Sequence, residues 1–319
     1  MRLLSDSTKK FAILVPTAVL PRTWRVSARR KLLANHELAK ARKADLLIIA
    51  HPKSGNTWLK VMLSRLYQIR YGLPASVIVT SDELARRNAD IPRIVATNGC
   101  YSYECAVGDR LQASAPDNRL RHKPVLFLPR HPADIAVSWY FQFTKRQSAP
   151  KQELINHAIA HPIDRRTISL WDFVRHSDIG LPFLIQYLNA WERNMAHLDR
   201  SLMVRYEELR GTPEAAIRKI VDFYGASFTD DEIRQAVEFG SFDNLRQLES
   251  KGFFRQGGLT LRNPSDPESF KVRRGKVGGY RDYFSPAQLE ELDGLIDETL
   301  SPTLGYTMQD QGMPIRAVN

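Results

Sequence analysis

Two cysteines, Cys100 and Cys105, are all the thiols in 319 residues. That is too few for a disulfide framework, and with no second Cys pair and no His cluster nearby they give no zinc site. They read as reduced thiols of a cytoplasmic protein. No run approaches the ~18 consecutive apolar residues of a transmembrane helix. Phe11–Leu20 follows Lys9-Lys10 in the manner of a signal sequence. However, Pro16 interrupts the stretch, Pro21-Arg22 closes it and no small-residue cleavage site follows, which argues against secretion. There is no internal repeat, and an apolar content of 43% with 25% charged residues excludes a disordered or collagen-like chain.

Acidic residues are scarce in one place. Residues 1–43 carry eleven Lys/Arg against Asp6 and Glu37, whereas the rest of the chain has 35 basic and 33 acidic residues. The net charge of +11 therefore belongs to a basic arm ahead of a nearly neutral body, expected to be one domain over 44–319. A nucleic-acid binder would carry its basic residues on the folded face, so nucleic acid is not an expected partner. Within the arm, Trp24, Ala28, Leu32 and Ala39 fall on one helical face, with Arg25, Arg29, Arg30, Lys40 and Lys43 largely around the rest. This pattern suits a helix lying on an anionic membrane at the cytoplasmic face, and equally an arm folded over the body.

From residue 45 the pattern alternates strands and helices. Leu46–Ala50 is a continuous apolar run of the kind buried on both faces, and Arg93–Ala96, Val125–Leu128 and Leu202–Val204 read as further strands. Helices are expected at Asn56–Tyr71, Ala133–Phe143, Pro182–Leu198, Pro213–Tyr224, Asp230–Phe239 and Pro286–Thr299. Residues 252–282, rich in Gly, Arg, Pro and Ser, form a long irregular loop of the functional kind. The expected fold class is α/β, a mostly parallel central sheet flanked by helices.

The most informative stretch is strand, then Pro52-Lys53-Ser54-Gly55-Asn56-Thr57-Trp58, then helix, a P-loop-like arrangement. A helix N-terminus offers unpaired N–H groups and partial positive charge to a phosphate. Gly55 permits close approach, Lys53 adds a cation, and Ser54 and Thr57 add hydroxyl donors. It is not a Walker A loop, because Lys53 precedes the glycine instead of following it. An ATP-dependent kinase with a nonstandard loop is thereby the weaker enzyme reading.

The segment resembles the P-K-S-G-T-T-W loop of the sulfotransferases that use 3'-phosphoadenosine-5'-phosphosulfate (PAPS), differing only at Asn56. Further segments match that family in order. Val125–Ser138 is similar to its second signature, which implies that Arg130 and Ser138 bind the 3'-phosphate. Tyr206-Glu207-Glu208-Leu209 and Ser241-Phe242 resemble its adenine-binding segments, implying that Tyr206 and Ser241 contact the nucleotide and that Trp58 and Phe242 cover the base. Arg273-Arg274-Gly275-Lys276-Val277-Gly278 resembles the late R-K-G-x-x-G motif, with Arg274 in place of Lys, and implies a lid over the 3'-phosphate. The resemblance implies transfer of a sulfuryl group to a hydroxyl or amine acceptor (a small molecule, lipid or saccharide), release of 3'-phosphoadenosine-5'-phosphate (PAP), no metal, and Lys53 as the catalytic residue.

The acceptor side departs from the family. Its catalytic His in a K-T-H segment corresponds to Asn98, and a neutral amide takes no proton at pH 7. Either another group is the base, with Glu104, Asp109, His51 and His122 as candidates, or the acceptor needs none, or the chain is a catalytically silent PAPS/PAP-binding module. Residues 98–122 and 143–180 are the expected acceptor segments.

Overall fold

The computed structural model describes residues 6–77, 83–98, 121–254, 259 and 270–307. In chain order its helices and strands are α1 (Asp6–Leu14), α2 (Arg22–Arg42), β1 (Leu46–Ile49), α3 (Asn56–Tyr71), β2 (Ile94–Thr97), β3 (Pro124–Phe127), α4 (Pro132–Phe141), α5 (Ala149–Ala158), α6 (Leu170–Arg175), α7 (Leu181–Met195), β4 (Arg200–Met203), α8 (Tyr206–Gly211), α9 (Pro213–Phe223), α10 (Asp230–Phe239), α11 (Phe242–Ser250) and α12 (Pro286–Thr299). The strands form one parallel sheet in the order β2-β1-β3-β4. It is the α/β fold expected from the alternation of strands and helices.

The apolar run of β1 is explained by its central place. Leu46 and Ile48 face α3, α9 and α10, packing with Leu59, Met62, Ile217 and Ile233. Leu47 and Ile49 point the other way, toward Phe183, Leu188 and Trp191 of α7 and Leu292 of α12. All four are 0% exposed, and burying each contributes about 1.5–3 kcal/mol. Because the strands are parallel, their carboxyl ends gather at one edge. There β1 runs into His51–Gly55, β3 into Pro129–His131 and β4 into Tyr206, the position where open α/β sheets bind ligands.

Several elements were not anticipated. Helices α5, α6, α8 and α11 run only 6 to 10 residues, lengths at which tertiary packing rather than propensity holds a helix. The inward face of α2 is Val26, Arg29, Leu33, Glu37 and Ala41, not the face through Trp24 and Leu32, both of which stand exposed. The reason is α5. Its Glu153 accepts from Arg25 Nε at 3.1 Å and from Arg29 Nη1 at 3.2 Å, while its Leu154 packs with Val26 and Leu33.

Candidate active site

The turn after β1 is held by a backbone bond from Ser54 N to His51 O at 3.1 Å and carries two residues at positive φ. Gly55 has φ +93°, and a Cβ there would lie 2.5 Å from the Tyr206 ring, so only glycine fits. Lys53 has φ +87°, a left-handed conformation costing a non-glycine residue about 1–3 kcal/mol. Gly55 caps α3 without a side-chain bond, which leaves the first N–H groups of that helix available.

Arg130 ties the segments together. Its Nη1 donates to Lys53 O at 3.1 Å, its Nη2 donates to Lys276 O at 3.2 Å and lies 3.3 Å from Asp134 Oδ2, and its guanidinium lies 4.3 Å over the Tyr206 ring. Tyr206 N donates to Pro129 O at 2.9 Å, so the β3 and β4 turns are locked together. Asp134, buried at the start of α4, accepts from the backbone N–H of Gly278 and of Tyr280, both at 2.9 Å. Asp134 falls within the Val125–Ser138 segment, and in the chain it looks like any acidic residue of a first helical turn. Its role is to fasten the far end of the Arg273–Gly278 segment to the turn that bears Arg130.

The aromatic residues converge on the same edge. Trp58 Nε1 donates to Gly240 O at 2.6 Å, fixing its ring beside the Ser241-Phe242 segment. Trp58 also stands edge-on to Tyr206 with ring centroids 5.7 Å apart. Phe242 lies against Gly275, where a Cβ would come within 2.8 Å of its ring. Arg273 donates to the Tyr283 hydroxyl and stacks 4.2 Å over Phe141, while Arg274 pairs with Asp282 at 2.9 Å. Ser138 is half-buried on α4, and Ser241 is exposed at the start of α11. The segments containing Lys53–Trp58, Arg130, Tyr206, Ser241-Phe242 and Arg273–Gly275 thus meet at one edge.

Electrostatically the edge is a concentration of positive charge. Burial pushes the Lys53 ammonium well below the ordinary lysine range, and Lys271, Arg146, Arg273 and Arg130 push it further. Ser54 Oγ and Arg130 Nε are buried with no hydrogen-bond partner, an arrangement that costs free energy unless an anion satisfies it. The residues present therefore fit a phosphate-bearing ligand.

A family model described as the sulfotransferase domain matches residues 43–304. The chain belongs to the sulfotransferase family. As a sulfotransferase it moves a sulfuryl group from PAPS to an acceptor and releases PAP. Cytosolic sulfotransferase 12 of Arabidopsis thaliana is 29% identical over 280 residues, covering 81% of this chain and 78% of that protein. Flavonol 3-sulfotransferase of Flaveria bidentis is 23% identical over 290 residues, covering 85% and 86%. A mouse sulfotransferase complexed with PAP shares the fold with a TM-score of 0.53 at 19% identity, over 85% of this chain and 90% of that one.

The base candidates of this sulfotransferase separate. Glu104 and Asp109 lie outside the described residues. His122 precedes β3, at the opposite edge of the sheet from Lys53, and bonds Asp199 at 2.6 Å in solvent. His51 stands at the carboxyl end of β1, two residues before Lys53, and is 1% exposed. Its ring packs against Trp139, Phe183 and Tyr187 with centroids 5.8, 6.0 and 5.5 Å away. Nδ1 is 2.8 Å from Pro52 O, an acceptor only, so Nδ1 carries a proton. Asn98 directly follows β2 and so lies at the same edge of the sheet.

Proposed function

We propose that Lys53–Trp58, Arg130, Ser138, Tyr206, Ser241-Phe242 and Arg273–Gly275 form the donor site. In this scheme the α3 N-terminus and Lys53 hold the 5'-phosphosulfate, while Arg130, Ser138, Arg273, Arg274 and Gly275 hold the 3'-phosphate. Trp58, Phe242 and Tyr206 enclose the adenine beside Ser241. The observation that carries the assignment is Arg130, whose bonds to Lys53 O and Lys276 O join the phosphate loop to the lid. Planar guanidinium groups suit phosphate because they make paired charge-assisted bonds. In the transfer, negative charge grows on the oxygen bridging sulfur to the departing phosphate, and Lys53 neutralises it. Crowded cations hold Lys53 in a costly state that the arriving phosphosulfate relieves, so charge complementarity is built in before the donor binds. Lys53→Ala is expected to lower turnover by about 10²–10³, or about 3–4 kcal/mol, with PAP affinity only modestly reduced. Retention of most of the turnover in radiolabelled sulfuryl transfer would remove Lys53 from the mechanism.

His51 is the proposed acceptor base, accepting the proton at Nε2. The acceptor is a hydroxyl- or amine-bearing molecule, and the names of the relatives, cytosolic and flavonol sulfotransferases, support a small-molecule acceptor met in the cytoplasm. The single domain spans 44–319 and the arm 1–43. Docking of α2 on α5 favours an arm folded over the domain, and a second observation favours a surface contact as well. Phe11, Val15, Val19, Trp24 and Leu32 are all exposed, beside the exposed Arg22 and Lys31. This apolar and basic surface suits the plane of an anionic membrane. The full chain should float with anionic vesicles and detach in high salt, whereas a chain beginning at Ala44 should not. Equal behaviour of the two chains removes the membrane contact.

A further inference from the structure

Helix α11 meets the stretch 271–275 through Phe242, Arg246 and Glu249, which fall on one face of the helix. At the first turn the Phe242 ring lies against Gly275, where an added Cβ would come within 2.8 Å. One turn on, Arg246 Nη1 donates to Val272 O at 2.5 Å and to Arg273 O at 3.2 Å, with its guanidinium 4.2 Å over the Phe270 ring. At the last turn stands Glu249, which is 0% exposed. Its Oε1 accepts from Lys271 N at 2.7 Å and lies 3.6 Å from Arg146 Nη1, and its Oε2 accepts from Val272 N at 2.8 Å. The backbone of 271–275 therefore runs antiparallel along the helix. A cation holds its carbonyls and an anion holds its N–H groups, the stronger kind of hydrogen bond in each case.

The far end of the segment is held from the other side, where Arg130 donates to Lys276 O and Asp134 accepts from Gly278 N and Tyr280 N. Arg274 and Gly275 lie between the two anchored stretches. Both peptide groups that flank Arg273 are bonded through their carbonyls to the one Arg246 nitrogen, which fixes the direction in which the Arg273 side chain leaves the backbone. That side chain then reaches the Tyr283 hydroxyl and stacks over Phe141, three residues after Ser138 on α4. A segment with glycines at positive φ, Gly275 and Gly278, has many conformations open to it, and ordering it around a ligand would subtract from affinity. Anchors inside the protein remove that cost beforehand. We infer that Arg246 and Glu249 are positioning residues for Arg273: they set the backbone from which it reaches the 3'-phosphate. Helix α11 thereby joins base recognition at Ser241-Phe242 to 3'-phosphate recognition. The inference rests on the proposed donor site and adds to it two residues that act through Arg273.

The test is calorimetric titration of the full chain with PAP and with AMP, which lacks the 3'-phosphate. Arg246→Met and Glu249→Gln should each shrink the wild-type preference for PAP at least about tenfold, with AMP affinity within about twofold of the wild type. The retained AMP affinity also reports that the variants fold. Arg246→Lys should keep the preference to within about threefold, because a single nitrogen serves both carbonyls and an ammonium can take its place. A preference that survives both Arg246→Met and Glu249→Gln overturns the inference. So does an equal loss of PAP and AMP affinity, which would make the two residues general supports of the fold. Arg273→Ala separates the two levels of the argument. If it abolishes the preference while the α11 variants leave it intact, the donor site stands and this inference alone falls. A wild-type chain that binds PAP and AMP alike would instead remove the donor reading beneath it.

Discussion

The proposed donor and acceptor sides of this active site are built differently. On the donor half, backbone and side chain specify each other: Gly55 clears the Tyr206 ring, Gly275 clears the Phe242 ring, and Arg130 spans from the phosphate loop to the lid. On the proposed acceptor side, the candidate base His51 is a buried ring inside an aromatic cage of Trp139, Phe183 and Tyr187, held by packing. A ligand of fixed shape can be met by residues at fixed short spacings on turns. The acceptor side matches no such spaced motif, since Asn98 stands where the family's histidine would.

Predictions for the two halves differ accordingly. The largest effect after Lys53→Ala is expected at His51. His51→Gln should lower kcat/KM by about 10² with PAP affinity unchanged, the scale of a lost general base. Asn98→Ala should cost less than about fivefold, since an amide cannot serve as base. The reverse ranking would move the base from His51 to the strand that ends at Asn98.

A stability measurement tests how rigid the proposed donor half is. His131, in the turn after Arg130, is buried and stacked on Tyr280 at 4.8 Å. Burial holds its pKa at about 4 against 6.5 in the unfolded chain. The folded state therefore refuses a proton that the unfolded state binds, so this contribution to stability is complete above pH 6.5 and is lost as pH falls toward about 4. The loss amounts to about 3 kcal/mol. Urea titrations of the wild type and His131→Phe from pH 7 to 4 should diverge by that amount. Parallel curves would mean that the turn opens readily to water.

Much of this was legible in the sequence. The helices expected at about Asn56–Tyr71, Asp230–Phe239 and Pro286–Thr299 are found there, each starting behind a cap at Gly55, Thr229 or Ser285. The donor segments were read from their resemblance to the sulfotransferase motifs, each a short stretch carried on a single turn. What was not legible depended on distant partners. The inward face of α2 is set by Glu153 and Leu154, more than a hundred residues away. Asp134 and Glu249 acquire their roles only when the segments at 278–280 and 271–272 fold against them. Their carboxylates look, in the chain, like ordinary helix surface.

The most direct test of the central claim is calorimetric binding of PAP and AMP to the full chain and to its Arg130→Ala and Arg273→Ala variants. If these arginines meet the 3'-phosphate, PAP should bind at least about 10² more tightly than AMP, roughly the contribution of two charge-assisted contacts. Each variant should lose most of that gap while holding AMP nearly as before. Equal affinity of the wild-type chain for PAP and AMP would contradict the account, because nothing at the strand ends would then be reading the 3'-phosphate.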